Sequence, residues 1–132
     1  MSDWQQKLAG LRDVRTCRIT TRGRKTGRPH TVTIWFVVGA EEQRVYLGTL
    51  RMGRDWPRNV AANPEVTVDI ADLRLQGRAR VVTDDRKRQR VESALAAKYW
   101  GVWIGSWLGL RPQGVFEVDL GGEAARLFIA AA

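Results

Sequence analysis

The run best equipped to bind something is Gly23-Arg24-Lys25-Thr26-Gly27-Arg28, which offers two glycines, a hydroxyl and three cations within six positions. Glycines let backbone amides approach oxygens, and guanidinium and ammonium groups neutralise them, so the run suits a phosphate or a polycarboxylate tail. It is not a Walker loop, because the Gly-Lys-Thr order and the glycine spacing are absent and no crossover helix follows. A solvated basic hairpin and nonspecific nucleic-acid binding stay open beside the anion site.

Little else in the chain suggests chemistry of its own. His30 is the sole histidine, which argues against a Ser-His-Asp triad or a multi-histidine metal site. Cys17 is the sole cysteine, so no intrachain disulfide or cysteine-based metal cluster can form, and a reducing cytoplasm, its membrane surface included, is the expected setting. Catalysis would have to come from a cofactor or from carboxylates. Asp69 and Asp72 flank a turn, but Asp69 alternates outward from Val68 and Ile70, so both read as surface. Cys17 reads as a small buried residue. Arg86, Lys87, Arg88 and Arg90 read as a solvated helix face.

Composition agrees with an anionic partner. The 132 residues carry 22 Lys plus Arg against 14 Asp plus Glu, a formal charge of +8, and 18 of the cations are Arg. Seven cations and one acid fall between Arg12 and Arg28. With 44% hydrophobic residues and six tryptophans, the chain reads as a packed globular domain rather than a disordered basic tail. Its length has room for a single domain spanning 1–132. No stretch approaches the roughly 18 apolar residues of a spanning helix.

The elements around the loop follow from periodicity. Ser2 caps a short helix with Trp4, Leu8 and Leu11 on one stripe. Val14–Thr21 alternates as a strand, and His30–Val38 reads as a second, central strand because its later half is apolar on both faces. Arg44–Leu50 is a third strand, followed by a cationic loop. Asp55 then caps a short helix that Asn63 and Pro64 close. Glu65–Ile70 and Arg74–Val82 are strands, and Thr83–Asp85 starts a helix whose buried stripe is Val91, Ala94, Leu95 and Tyr99. A last strand runs over Val115–Leu120, with a short one at Leu127–Ala130. About six strands joined by short connections, with two to four peripheral helices, predict a mainly β, antiparallel barrel.

The run TTRGRKTGRPHTVTIWFVV, followed by VYLGTL and then by DWPRNVAANPEVTVDI, resembles the deazaflavin-dependent nitroreductase family, split β-barrel oxidoreductases that use coenzyme F420. A Gly-Arg-Lys-(Ser/Thr)-Gly loop leading into a strand, and a Trp-x-x-Asn-x-x-x-Asn-Pro helix ending before another, are the two motifs. The resemblance spans about residues 16–82. It implies that Arg24, Lys25, Thr26, Gly27 and Arg28 hold the coenzyme's phosphate and oligoglutamate tail. It places the ring against Thr33, Ile34 and Trp35 and the backbone of 47–50, Thr49 included. Trp56 and Asn59 match the short helix, and Arg54 or Arg58 would add a phosphate contact. The bound coenzyme would pass hydride to a small hydrophobic acceptor such as a quinone, nitroaromatic or activated alkene.

On the substrate side, Tyr99 is a candidate proton donor and Trp103 a candidate pocket wall. Trp100, Trp103 and Trp107 share a helical face, which also suits core or dimer contact. The glycines among them suit a flap, and the segment departs from the tyrosine-bearing pattern of nitroreducing members. Three alternatives stand beside the F420 reading: flavin mononucleotide (FMN) in the same barrel, a non-catalytic carrier with the same groove, and a basic nucleic-acid module. The last lacks an aromatic ladder beside the cations, so no specific nucleic acid is expected. A barrel of this size with six tryptophans is expected to use a partner surface, a homodimer being the simplest.

Overall fold

The structure is a computed structural model and describes residues 3–39, 43–49, 51–99, 114–120 and 129–130. Three helices and eight strands follow in the order α1 (Asp3–Gly10), β1 (Cys17–Arg22), β2 (Pro29–Ile34), β3 (Phe36–Gly39), β4 (Arg44–Thr49), α2 (Asp55–Ala62), β5 (Glu65–Ile70), β6 (Leu73–Val81), α3 (Asp85–Lys98), β7 (Gly114–Asp119) and β8 (Ile129–Ala130). Every strand pairing is antiparallel. The ladder runs β2-β1-β5-β6-β7-β4-β3, with β8 added to β6. This is the mainly β, antiparallel barrel that the strand pattern predicts, in the split-barrel form that the family resemblance implies.

The single strand expected over 30–38 is two strands. Trp35 alone separates β2 from β3, yet these lie at opposite ends of the ladder. The sheet must therefore curl until its two ends meet, and the bend at Trp35 is where the chain passes from one end to the other. The strand is terminal in the hydrogen-bonded ladder, not central. Its apolar character has a different source: the curl places Ile34 and Phe36 in the barrel interior, while Trp35 and Val37 pack outside.

Alternation builds that interior. Cys17 and Ile19 of β1, Val66, Val68 and Ile70 of β5, Leu73, Leu75 and Ala79 of β6, and Phe116 and Val118 of β7 all point into one cluster. Trp4 and Leu8 of α1 and Trp56 and Val60 of α2 complete it. A second cluster lies outside the barrel, where Val91 and Leu95 of α3, with Tyr99, meet Tyr46 and Val115. Ala94, expected on that stripe, is exposed. At position 77 a Cβ would come within 2.6 Å of the Asp119 carbonyl oxygen, so β6 approaches β7 closely only because the residue is glycine.

The helix starts differ from each other. Asp84 caps α3, its carboxylate accepting the Lys87 N–H at 2.9 Å. Asp55 does not cap α2 as expected: Arg54 occupies the capping position without a side-chain bond, and Asp55 is the first helical residue. Asn63 closes α2, its own N–H donating to the Asn59 carbonyl at 2.8 Å.

Candidate functional site

The ladder between β3 and β4 ends at the Phe36–Leu47 pair. Beyond it, Ile34 and Trp35 face Gly48 and Thr49 without continuing the pairing, and the barrel opens there into a groove of about 300 Å³. Val32, Thr33, Ile34, Trp35, Gly48, Thr49, Arg54 and Trp56 line it. The size is at the lower end of small-molecule sites, roughly 300–1,000 Å³. Its walls are two indoles, the aliphatic Val32 and Ile34, and Thr33 and Thr49, with one cation, Arg54. That combination suits a flat, mainly apolar ring carrying an anionic substituent.

The expected ring contacts Thr33, Ile34, Trp35 and Thr49 gather in this groove, as do Arg54 and Trp56. Trp56 is anchored from behind, tilted against Phe116 at 4.8 Å between ring centroids. The Thr49 hydroxyl both donates to the Arg51 carbonyl at 3.0 Å and accepts its N–H at 3.3 Å, so it shapes the turn after β4. Gly48 falls within the 47–50 backbone expected there, whereas Val32 was missed by sequence reasoning.

The loop after β1 is a built structure and not a loose hairpin. The Gly23 N–H donates to the Arg28 carbonyl and the Gly27 N–H to the Gly23 carbonyl, each at 2.8 Å. Thr26 turns its hydroxyl inward to accept the Arg28 N–H at 3.2 Å. Gly27 adopts φ +71°, a left-handed conformation that glycine takes without a Cβ penalty. Lys25 and Arg28 project into solvent, and among the described residues no carboxylate pairs with either.

Asn59 joins this loop to the groove. Its buried amide oxygen accepts both the Arg24 N–H at 3.1 Å and the Arg24 guanidinium at 3.0 Å, while its NH₂ donates to the Thr21 hydroxyl at 3.1 Å. Arg24 also reaches Asp55 at 3.4 Å. Asn59 is thus a strut that fixes the loop beside the start of α2, where Arg54 enters the groove. Thr21, the buried partner, was not singled out by sequence. Arg58 lies exposed on the outer side of α2 and does not line the groove.

Tyr99 is not placed to act on a substrate. It is 2% exposed, and its hydroxyl lies 2.7 Å from the Arg15 carbonyl and 3.1 Å from both the N and the O of Phe36. The hydroxyl expected to donate a proton is thus engaged by main-chain groups, and burial pushes its pKa up. Trp103, with the rest of the 100–113 segment, lies outside the described residues.

Of the other titratable groups, Cys17 is buried as expected, and burial pushes its thiol up to about 12. Asp69 and Asp72 are each bound by a cation, Arg74 at 2.7 Å and Lys7 at 2.9 Å. The Asp69 side chain is mostly covered rather than at the surface. Lys87 also departs from the solvated face: it reaches the buried Glu117 carboxylate, which Arg80 and Arg44 approach as well.

A family model described as "Pyridoxamine 5'-phosphate oxidase" matches residues 4–122. The chain belongs to the pyridoxamine 5'-phosphate oxidase family, within the FMN-binding split-barrel superfamily. Solved structures with the same fold include a putative pyridoxamine 5'-phosphate oxidase from Listeria innocua, at 16% identity and TM-score 0.66, covering 91% of this chain and 95% of that one. The F420-H2 dependent reductase FDR-A is 23% identical, with TM-score 0.62 and coverage of 79% and 93%. The heme storage protein HutZ from Vibrio cholerae is 18% identical, with TM-score 0.69 and coverage of 89% of each chain. No curated protein sequence matches the chain.

Proposed function

We propose that the groove at the barrel split binds the ring of a flavin-type cofactor, coenzyme F420 in the first place, and that the protein is a reductase of small hydrophobic acceptors. The observation that carries this reading is the junction of an indole-walled groove with an ordered cationic loop through Arg54, Asn59 and Arg24. The residues fit such a group. Trp35, Trp56, Ile34 and Val32 supply apolar walls, and Arg54 offers a cation for a phosphate. Lys25 and Arg28 lack carboxylate partners among the described residues and point into solvent, as a long carboxylate tail requires.

When bound, the reduced cofactor supplies the hydride; the chain's residues orient the ring, shield one side of it from water and hold its anionic end. FMN is the second reading, favoured by membership of a pyridoxamine 5'-phosphate oxidase family and by the small number of cations a single phosphate needs.

Fluorescence titrations with oxidised F420 and with FMN test the proposal directly, followed by reoxidation of the reduced cofactor by a naphthoquinone. The expected result is saturable F420 binding that is weaker by roughly 10- to 100-fold in a Lys25→Ala, Arg28→Ala variant. Tight FMN binding with none of F420 would replace the first reading by the second. Binding of cofactor without turnover of any acceptor would make the protein a carrier.

A further inference from the structure

β3 is the last strand of the ladder, so among the described residues the outer edge of Phe36 has no neighbouring strand to bond. Its peptide groups nevertheless find partners, from the far end of α3. The Phe36 N–H donates to the Tyr99 hydroxyl at 3.1 Å. That hydroxyl has one proton to give, and the Arg15 carbonyl at 2.7 Å is its nearer acceptor. The Phe36 carbonyl is then left for Lys98, whose Nζ donates to it at 3.0 Å. Both peptide groups of Phe36 are thereby satisfied, although their partners lie more than 60 positions away in sequence.

The rings repeat the connection. Trp35 stacks on Tyr99 with centroids 5.1 Å apart and planes 17° from parallel, and the same indole lines the groove. The Arg15 guanidinium lies 5.2 Å from the Tyr99 ring centroid, and the Lys98 ammonium 3.6 Å from that of Phe36. A buried tyrosine needed only for packing would be served by phenylalanine; here the hydroxyl is central to the network.

We propose that Tyr99 and Lys98 are positioning residues of the groove, holding the Trp35–Phe36 bend and through it the angle at which the Trp35 indole meets a bound ring. The proposal deepens the cofactor reading and rests on it for the nature of the ligand. Tyr99 touches no ligand itself; it acts through Trp35.

The test uses the full chain labelled with 5-fluorotryptophan, in which a Trp35→Phe variant assigns the Trp35 fluorine resonance among the six tryptophans. Tyr99→Phe keeps the ring and removes the hydroxyl. It is expected to shift or split the Trp35 resonance while those of Trp4 and Trp56 stay in place, and to weaken cofactor binding by about 5- to 20-fold. In a Trp35→Leu background the same change is expected to alter affinity less than about twofold, because the residue it acts through is gone. Lys98→Met is a second, milder probe of the bend should Tyr99→Phe fail to fold, and Lys98→Arg, which restores a donor, is expected to recover the wild-type resonance. An unmoved Trp35 resonance in both Tyr99→Phe and Lys98→Met, or equal losses of affinity with and without Trp35, would overturn the proposal. If the wild-type chain binds neither F420 nor FMN, the cofactor reading fails, and the resonance comparison decides the positioning claim by itself.

Discussion

At the scale of single residues, Asn59 carries more than its size suggests. Its amide is 2% exposed, and its bonds tie β1, the cationic loop and α2 together. Asn59→Ala leaves the Thr21 hydroxyl with only its 3.5 Å bond to the His30 carbonyl and the half-buried Arg24 N–H without its side-chain acceptor, a cost of roughly 1–3 kcal/mol. Thermal unfolding is expected to show that loss, and limited proteolysis to cut faster at Lys25. A change below about 0.5 kcal/mol would show that the strut is dispensable.

Lys98 and Cys17 make a paired prediction at alkaline pH. Burial pushes the Lys98 ammonium down to about 8, from 10.5. Between those values the unfolded chain binds more protons at this residue, so its contribution to stability rises with pH. Cys17, pushed up by burial from 9.0 to about 12, works oppositely: the unfolded chain loses that proton first, so stability falls above pH 9. The melting temperature is expected to gain from Lys98 between pH 8 and 9 and to level off as the thiol begins to oppose it. The difference between wild type and Lys98→Met, measured across that window, isolates the lysine. A pH-independent difference would contradict the assignment.

At the scale of elements, α3 is held to the sheet by charge at its start and by Tyr99 and Lys98 at its end. Burial alone would raise the Glu117 carboxyl, but hydrogen bonds from Lys87 and Arg80 outweigh it and hold the group below its ordinary 4.5. A lowered carboxyl stabilises the fold above the unfolded value, and the contribution disappears as pH falls through the lowered one. Lys87→Met is expected to destabilise the protein by roughly 1–2 kcal/mol at neutral pH and by much less at pH 3. Equal losses at both pH values would assign the effect to packing of the lysine stem.

Element boundaries show where sequence reasoning succeeds and where it stops. The strand expected at Glu65–Ile70 has those same limits because Val66, Val68 and Ile70 alternate between Pro64 and a turn. The break at Trp35 was illegible, since Ile34, Trp35 and Phe36 alternate without a proline or glycine. Only the meeting of the two sheet ends creates it. Local composition likewise suggested Asp55 as a cap, but its carboxylate faces Arg24, a loop residue 31 positions earlier. The groove contacts Thr33, Ile34, Trp35, Thr49, Arg54 and Trp56 could be named from the family resemblance, whereas the inward-facing role of Tyr99 depends on a helix packing across a distant strand.

At the scale of the whole molecule, a charge of +8 is unevenly distributed around a barrel whose opening lies between its terminal strands. Arg44, Arg74 and Arg80 face carboxylates and serve the fold. Lys25 and Arg28 face water on the loop that α2 ties to the groove. On the proposed function this loop and the groove form a single site, with an anionic tail on one and a ring in the other. The most direct measurement is a cycle of four affinities: F420 with and without its oligoglutamate tail, each against wild type and Lys25→Ala, Arg28→Ala. The account predicts that removing the tail weakens wild type by roughly 10- to 100-fold but leaves the variant changed less than about twofold. Equal losses in both proteins would contradict it, because the tail would then be bound elsewhere or not at all.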